Sequence, residues 1–160
     1  MIKRDTLFCI GSVILVLLWM TFHFRSFTLA LVGMLNILAS IPVGHFVTHI
    51  IMGNKFLGLL MTLPIFIILG IGCDDVFVFF DAWTASGTQG PQISNQVETR
   101  LDWTYRRAVS AMLVTSLTSS ATFFIAATSP IMPIRLFGIA MGSTILANLV
   151  LVTTFFPAAL

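Results

Sequence analysis

Gly70-Ile-Gly-Cys-Asp-Asp-Val-Phe-Val-Phe-Phe-Asp81 puts two adjacent carboxylates, Asp74 and Asp75, inside a hydrophobic run. Fourteen uncharged residues, Phe56–Leu69, lead into it, and Val76–Phe80 stays apolar beyond the pair. A carboxylate at mid-bilayer costs about 2.5–3.5 kcal/mol on the insertion scale, and two cost more. A chain keeps such a pair where something neutralises it: a proton, a metal cation, a basic partner or a water-filled cleft. No Lys or Arg lies inside the span to act as the basic partner. The remaining options all point to ion handling.

The rest of the chain supplies a membrane for that span to cross. Of 160 residues, 58% are hydrophobic and 9% charged, with mean hydropathy +1.03. A soluble domain carries about 25% charged residues, so this chain lacks the charge to coat a water-facing surface. The net charge of +2 is scattered, and without a basic patch the sequence excludes a nucleic-acid partner. Cys9 and Cys73 both lie in apolar segments, which argues against a disulfide framework or a metal cluster. No nucleophile, base and oxyanion arrangement points to an enzyme. Met1-Ile-Lys-Arg before an apolar run has the form of a signal peptide. The absence of a small-residue cleavage site, with further spans following, predicts a retained span instead.

In chain order the apolar runs predict five spans, at about 7–24, 27–52, 56–83, 108–129 and 134–156. Trp19, Phe22 and His23 close span one as interfacial aromatics do. Span two contains Asn36, Pro42, His45 and His49, with a kink expected at Pro42. Gly53-Asn54-Lys55 forms a turn. Gly87, Gly90 and Pro91 mark an irregular polar loop. Asn95 with Glu98 three residues on fits a capping-box start. Val97, Leu101 and Tyr105 recur every four residues, predicting an amphipathic surface helix at about 95–107 ahead of span four. Pro130-Ile-Met-Pro133 separates the last two spans. Five spans set the termini on opposite sides. Lys and Arg divide four against four (Arg25, Arg100, Arg106 and Arg107 versus Lys3, Arg4, Lys55 and Arg135), so charge alone leaves orientation open, with the three arginines of the surface helix leaning towards a cytoplasmic long loop.

A helix turns 100° per residue, so Asp74 and Asp75 cannot share one face. Asp74 aligns with Gly70, Ile71, Val78 and Asp81; Asp75 aligns with Ile71, Gly72, Val78 and Phe79. Gly70 and Gly72 bare the helix surface one turn earlier, admitting a neighbouring helix, water or an ion. Neighbouring carboxyls titrate as a unit, so the pair can hold one proton or ionise fully around a cation such as Na⁺. The alternative is a span that ends early, with both Asp residues at the interface. Asp81, beside Trp83, reads as a solvated interfacial residue. Span four is rich in hydroxyls. Ser116 and Ser120 share one face; Thr115, Ser119 and Thr122 share the next; Thr118 adds another. Hydroxyl oxygens suit hard cations, which makes Ser116, Ser119 and Ser120 candidate partners of the acidic pair. Ordinary helix packing explains each of them equally well. His45 and His49 are better read as interfacial than as metal ligands, and Asn36 as a polar contact between helices. Gly138-Ile-Ala-Met-Gly142 is a small-residue packing face.

Several of these stretches resemble one family. Gly70 with Asp74 and Asp75 forms Gly-x-x-x-Asp-Asp in the third of five spans, as in the fourth helix of resistance-nodulation-division transporters and their Patched and Dispatched relatives. The five-span block resembles a sterol-sensing domain. Within that branch the chain is most similar to the Dispatched family, through residues 74–83, 103–109, 111–118 and 129–138. The resemblance implies an all-α membrane protein, with a five-helix bundle forming half of a transporter's transmembrane domain. The two halves are related by a pseudo-twofold axis. It implies that a Na⁺ or H⁺ gradient drives movement of a lipid, a sterol or a lipidated protein. Asp74 and Asp75 match the family's cation-site carboxylates. It further implies an extracellular N-terminus and, by family analogy, the plasma membrane. The first helix, the extracellular domains and the second bundle of that family have no counterpart here. The expectation is therefore a module of a longer protein, partnered by a second transmembrane bundle and by membrane lipid or sterol. No cofactor beyond the coupling ion is expected. A sterol-binding regulatory domain without transport is the alternative. A bare structural anchor is a third reading, which would leave the carboxylates unexplained.

Overall fold

A backbone in hydrocarbon must satisfy its own hydrogen bonds, and long apolar runs do so as helices. The computed structural model describes residues 2–52, 63–90 and 96–159, with side chains omitted at residues 2–9, 51–52, 63–64 and 159. Within these, α1 spans Ile2–Phe24, α2 Phe27–Met52, α3 Leu63–Ser86, α4 Val97–Ala126 and α5 Met132–Phe155, and a 3₁₀ turn follows at Phe156–Ala159. No strand occurs among the described residues. The turn expected at 53–55, the start of span three at 56–62, Pro91 and the capping position Asn95 lie outside the described residues.

α1 ends where Arg25 takes a left-handed backbone conformation, φ 52°, which turns the chain into α2. α2 runs through Pro42 without interruption. Pro133 sits in the first turn of α5, where its missing N–H costs nothing. α4 departs from the sequence expectation. The surface helix at 95–107 and span four are one unbroken helix, Val97–Ala126. Its buried row is Thr104, Ala108, Met112, Ser116 and Ser120, not the row through Val97, Leu101 and Tyr105; Val97 is exposed and the other two are half-buried. Small and hydroxylated residues let helices approach closely, while the larger apolar side chains Val114, Leu117 and Ile125 stay outside.

Elsewhere the interior combines an apolar core, with Met20, Ile37, Phe79, Met141 and Phe156 buried, and a set of buried polar residues. Large apolar residues such as Leu15, Leu18, Phe46, Ile50 and Val150 are exposed, whereas Asn36, Ser40, Thr48, Asp75, Ser143, Thr144 and Asn148 are buried. An apolar surface over an interior that also shelters the polar groups is the arrangement lipid selects. Three helical segments among the described residues, Phe27–Ile50, Val97–Ala126 and Met132–Ala158, are long and apolar enough to cross a bilayer.

α5 is the central helix, packed most extensively against α2 and α4. It runs antiparallel to α4. The Tyr105 hydroxyl donates to Thr153 O at 2.6 Å near one end, and Ser120 Oγ donates to Gly142 O at 3.1 Å towards the other. Gly44 of α2 lies against Thr144 of α5, and the Ser143 hydroxyl reaches Gly44 O at 3.2 Å. Gly138 lies against the backbone of Phe123 and Ala127, and Gly142 against the Phe124 ring. An aromatic cluster holds α1 to α3, with Phe24 and Phe80 centroids 4.5 Å apart.

The far end of α3 is clamped to α4 by Arg100. Its guanidinium lies 4.3 Å from the Trp83 ring centroid, donates through Nε to Ser86 Oγ at 3.2 Å and through Nη2 to Trp83 O at 3.3 Å. Arg100→Ala is expected to cost about 1–2 kcal/mol of stability, read as a lower thermal midpoint in detergent. Arg100→Lys should recover little of it, because an ammonium cannot stack and fork together. An unchanged midpoint in the alanine variant would rule the clamp out.

Candidate ion site

The adjacent carboxylates part company in the fold. Successive residues point 100° apart on a helix, so only one of them can face the bundle interior. Asp75 does, at 3% exposure, while Asp74 opens to the outside of the bundle. α4 brings Ser116 to Asp75, its hydroxyl 3.2 Å from Oδ1 and 3.3 Å from Oδ2. α5 brings Asn148, whose Nδ2 donates to Asp75 Oδ2 at 2.9 Å. Three helices thus converge on one carboxylate.

The other sequence candidates are distributed around this centre. Ser120, one turn beyond Ser116, bonds to the α5 backbone instead of to Asp75. Ser119 is half-buried on the adjoining face. Gly72 is buried, and a Cβ there would stand 3.1 Å from both Asn148 Oδ1 and the Ile37 side chain, so its bareness is what admits α2 and α5. Of the alternatives expected at Gly70, a close neighbouring helix or access for water or an ion, no described helix supplies the first. Gly70 is exposed and, among the described residues, nothing lies within 4 Å of where its Cβ would be. It sits on the outward face that carries Asp74. Gly138 and Gly142 lie against α4 away from Asp75, as packing surfaces.

His45 is half-buried and His49 exposed. No group of three His, Cys, Asp or Glu side chains among the described residues could hold a metal. Asp81 is exposed, 3.7 Å from His23 Nε2.

Asn148 is the residue that sequence reasoning passed over. It was visible as an amide in the apolar run Ile145–Val152, yet nothing local ties it to a carboxylate 73 positions earlier. Its Nδ2 is paired, but its Oδ1 is buried without a hydrogen-bond partner among the described residues, as is Asn36 Nδ2 on α2. Buried polar atoms are rarely left so. The carboxylate and the Ser116 hydroxyl offer oxygen to an ion with one negative charge between them, while Asn148 turns Nδ2 to Asp75 and its Oδ1 towards Gly72. This set fits a proton or a small hard cation better than a soft metal.

Comparison with known proteins places this geometry in context. A family model described as Patched SSD matches residues 6–160. Protein dispatched homolog 1 from Mus musculus is 31% identical over 156 residues, and its Homo sapiens counterpart 32% over 154. These alignments cover 98% and 96% of this chain but 10% of each relative. Protein dispatched from Drosophila melanogaster is 28% identical over 169 residues, covering 93% of this chain and 14% of that protein. The chain therefore spans about a tenth of the length of the curated relatives it matches.

Proposed function

Because the chain belongs to the Patched SSD family of membrane domains, we propose that it is the ion-coupling transmembrane module of a transporter for a lipid, a sterol or a lipidated protein. The observation that carries this reading is Asp75, buried at mid-helix among neutral partners on two other helices. A carboxylate in that position is expensive unless its charge is met, and neither partner brings a positive charge. Asp75 and Ser116 would hold H⁺ or Na⁺, and the bound ion would supply neutralisation of the carboxylate. The residues themselves do the rest. Ser116 fixes the carboxylate against α4 and Asn148 fixes it against α5, so a change of charge on α3 alters what three helices share. Alternating access converts such a change into movement of one bundle against another.

Asp74 supports the second half of the proposal. A carboxylate on the outer face of a membrane helix, level with Asp75, needs cover from hydrocarbon. A second transmembrane bundle of the full-length protein supplies it, at the bare face around Gly70 and Asp74.

The test is gradient-driven transport by the full-length protein in proteoliposomes. Replacing Asp74 and Asp75 together by Asn is expected to remove the gradient dependence and to leave membrane insertion intact. Transport that persists unchanged in the double variant would refute the reading. Sterol photo-crosslinking that survives the same double variant, with no gradient dependence in the parent, would instead identify a regulatory sterol-binding domain.

A further inference from the structure

The turn between α1 and α2 carries a charge that no described residue answers. Arg25 makes this turn in the left-handed region, with its side chain exposed. Glycine or asparagine would adopt that backbone with less strain, so a cation there calls for a reason beyond the turn. The other arginines at this end of the bundle are engaged. Arg100 lies on Trp83, Arg106 pairs with Asp102 at 3.0 Å, and Arg107 stands 5.4 Å from the Trp103 ring centroid. Asp81, in the last turns of α3, is met by His23. Arg25 has no ion pair and no side-chain hydrogen bond among the described residues.

We propose that this turn is the headgroup site of an anionic phospholipid, with the Arg25 guanidinium on the lipid phosphate and an acyl chain along α1. Arg25 borders a recess of about 570 Å³, whose other walls are Trp19, Thr21, Phe22, His23 and Phe27. A guanidinium matches a phosphate group through paired N–H donors and keeps its charge at any physiological pH. The apolar surface of α1 favours a lipid over a free anion. Leu15, Leu18, Trp19 and Phe22 recur at three- and four-residue intervals, and all are exposed. Residues so spaced form one stripe, which here leads from the middle of α1 to the recess. A lipid uses both the stripe and the cation, whereas a free anion uses only the cation. Trp19 and Phe22 beside Arg25 fit the headgroup level, where aromatic rings gather. His23 against Asp81 and Arg100 against Trp83 set this turn at the same end as the start of α4. The arginines there lean that end towards the cytoplasm, whose leaflet holds the anionic lipids. The site is remote in sequence from Asp75 and does not depend on the ion-coupling reading.

The test uses the full-length protein in nanodiscs of equal phosphatidylserine and phosphatidylcholine, with the photoreactive p-benzoylphenylalanine in place of Phe22. Crosslinks from this position, identified by mass spectrometry, are expected to favour phosphatidylserine. Arg25→Gln should reduce that preference about fivefold, the worth of one arginine at an anionic surface. Arg25→Gly should do the same while suiting the left-handed turn, which separates loss of charge from loss of fold. Soluble glycerophosphoserine should not compete, because it cannot use the stripe. Equal crosslinking to both lipids in the parent, or a preference that persists in both Arg25 variants, overturns the proposal. Displacement by glycerophosphoserine overturns it in favour of a free phosphate ligand, and crosslinks to protein instead of lipid overturn it in favour of a covering helix.

Discussion

Asp75→Asn in the full-length protein is expected to abolish ion-gradient-dependent transport while leaving the fold intact, whereas Asp75→Leu is expected to damage both. The difference follows from what each variant leaves behind. Asparagine keeps the shape of aspartate and still offers a carbonyl to the Ser116 hydroxyl and the Asn148 amide. It also removes a charge whose burial in lipid costs about 2.5–3.5 kcal/mol, so insertion does not suffer. Leucine strands both partners in the interior, and each buried group left unpaired costs about 1–3 kcal/mol. Asp74→Leu provides the contrast. Asp74 is exposed, so its loss should leave thermal stability of the isolated bundle nearly unchanged even where it impairs assembly with a second bundle. Thermal midpoints in detergent separate Asp75→Leu from the other two variants, and transport in proteoliposomes separates Asp75→Asn from wild type. If Asp75→Leu is as stable as Asp75→Asn, the buried network has been misassigned.

Gly44→Ala and Gly138→Ala should be the most destabilising single-methyl changes in the bundle. A Cβ at Gly44 overlaps Thr144 Oγ1 and would stand 2.8 Å from the Thr144 backbone. At Gly138 it would stand 2.5 Å from Phe123 O and 2.7 Å from Ala127 N. Backbone cannot step aside as a side chain can, so each methyl must push whole helices apart. Overpacking of this kind costs about 1–3 kcal/mol, and more where backbone is the obstacle. Thr144→Ala combined with Gly44→Ala should recover only part of the loss, because the hydroxyl is relieved but the backbone contact is not. Gly70→Ala is the control. Nothing lies within 4 Å of its Cβ position, and alanine is favoured over glycine in a helix by about 1 kcal/mol. Equal effects at Gly44, Gly138 and Gly70, measured as thermal midpoints in one detergent, would contradict the packing of α5 against α2 and α4.

Both expectations depend on distinguishing residues that look alike in the sequence. Gly70 and Gly72 are two positions apart, and among the described residues only Gly72 meets another helix. Asp74 and Asp75 are neighbours, and only Asp75 is enclosed. Ser116 and Ser120 share one face of α4, and only Ser116 reaches the carboxylate. Helical periodicity sorts residues into faces but does not say which face meets which neighbour. Span four shows the same limit. Arginines and a four-residue apolar recurrence read as a separate surface helix, yet no helix breaker lies between Val97 and Ala126, and the backbone continues as one rod.

What the sequence by itself determined was the helical membrane class, the positions of its apolar runs, the family, and the presence of carboxylates where lipid should exclude them. These follow from local composition and from the cost of placing charge and free backbone in hydrocarbon, which act residue by residue. Tertiary structure alone decided which carboxylate is enclosed and that its amide partner comes from α5. Those outcomes depend on the rotation of α3 about its axis and on how closely Gly44, Gly72 and Gly138 let its neighbours approach. Such distances arise between segments far apart in the chain, and no local pattern records them.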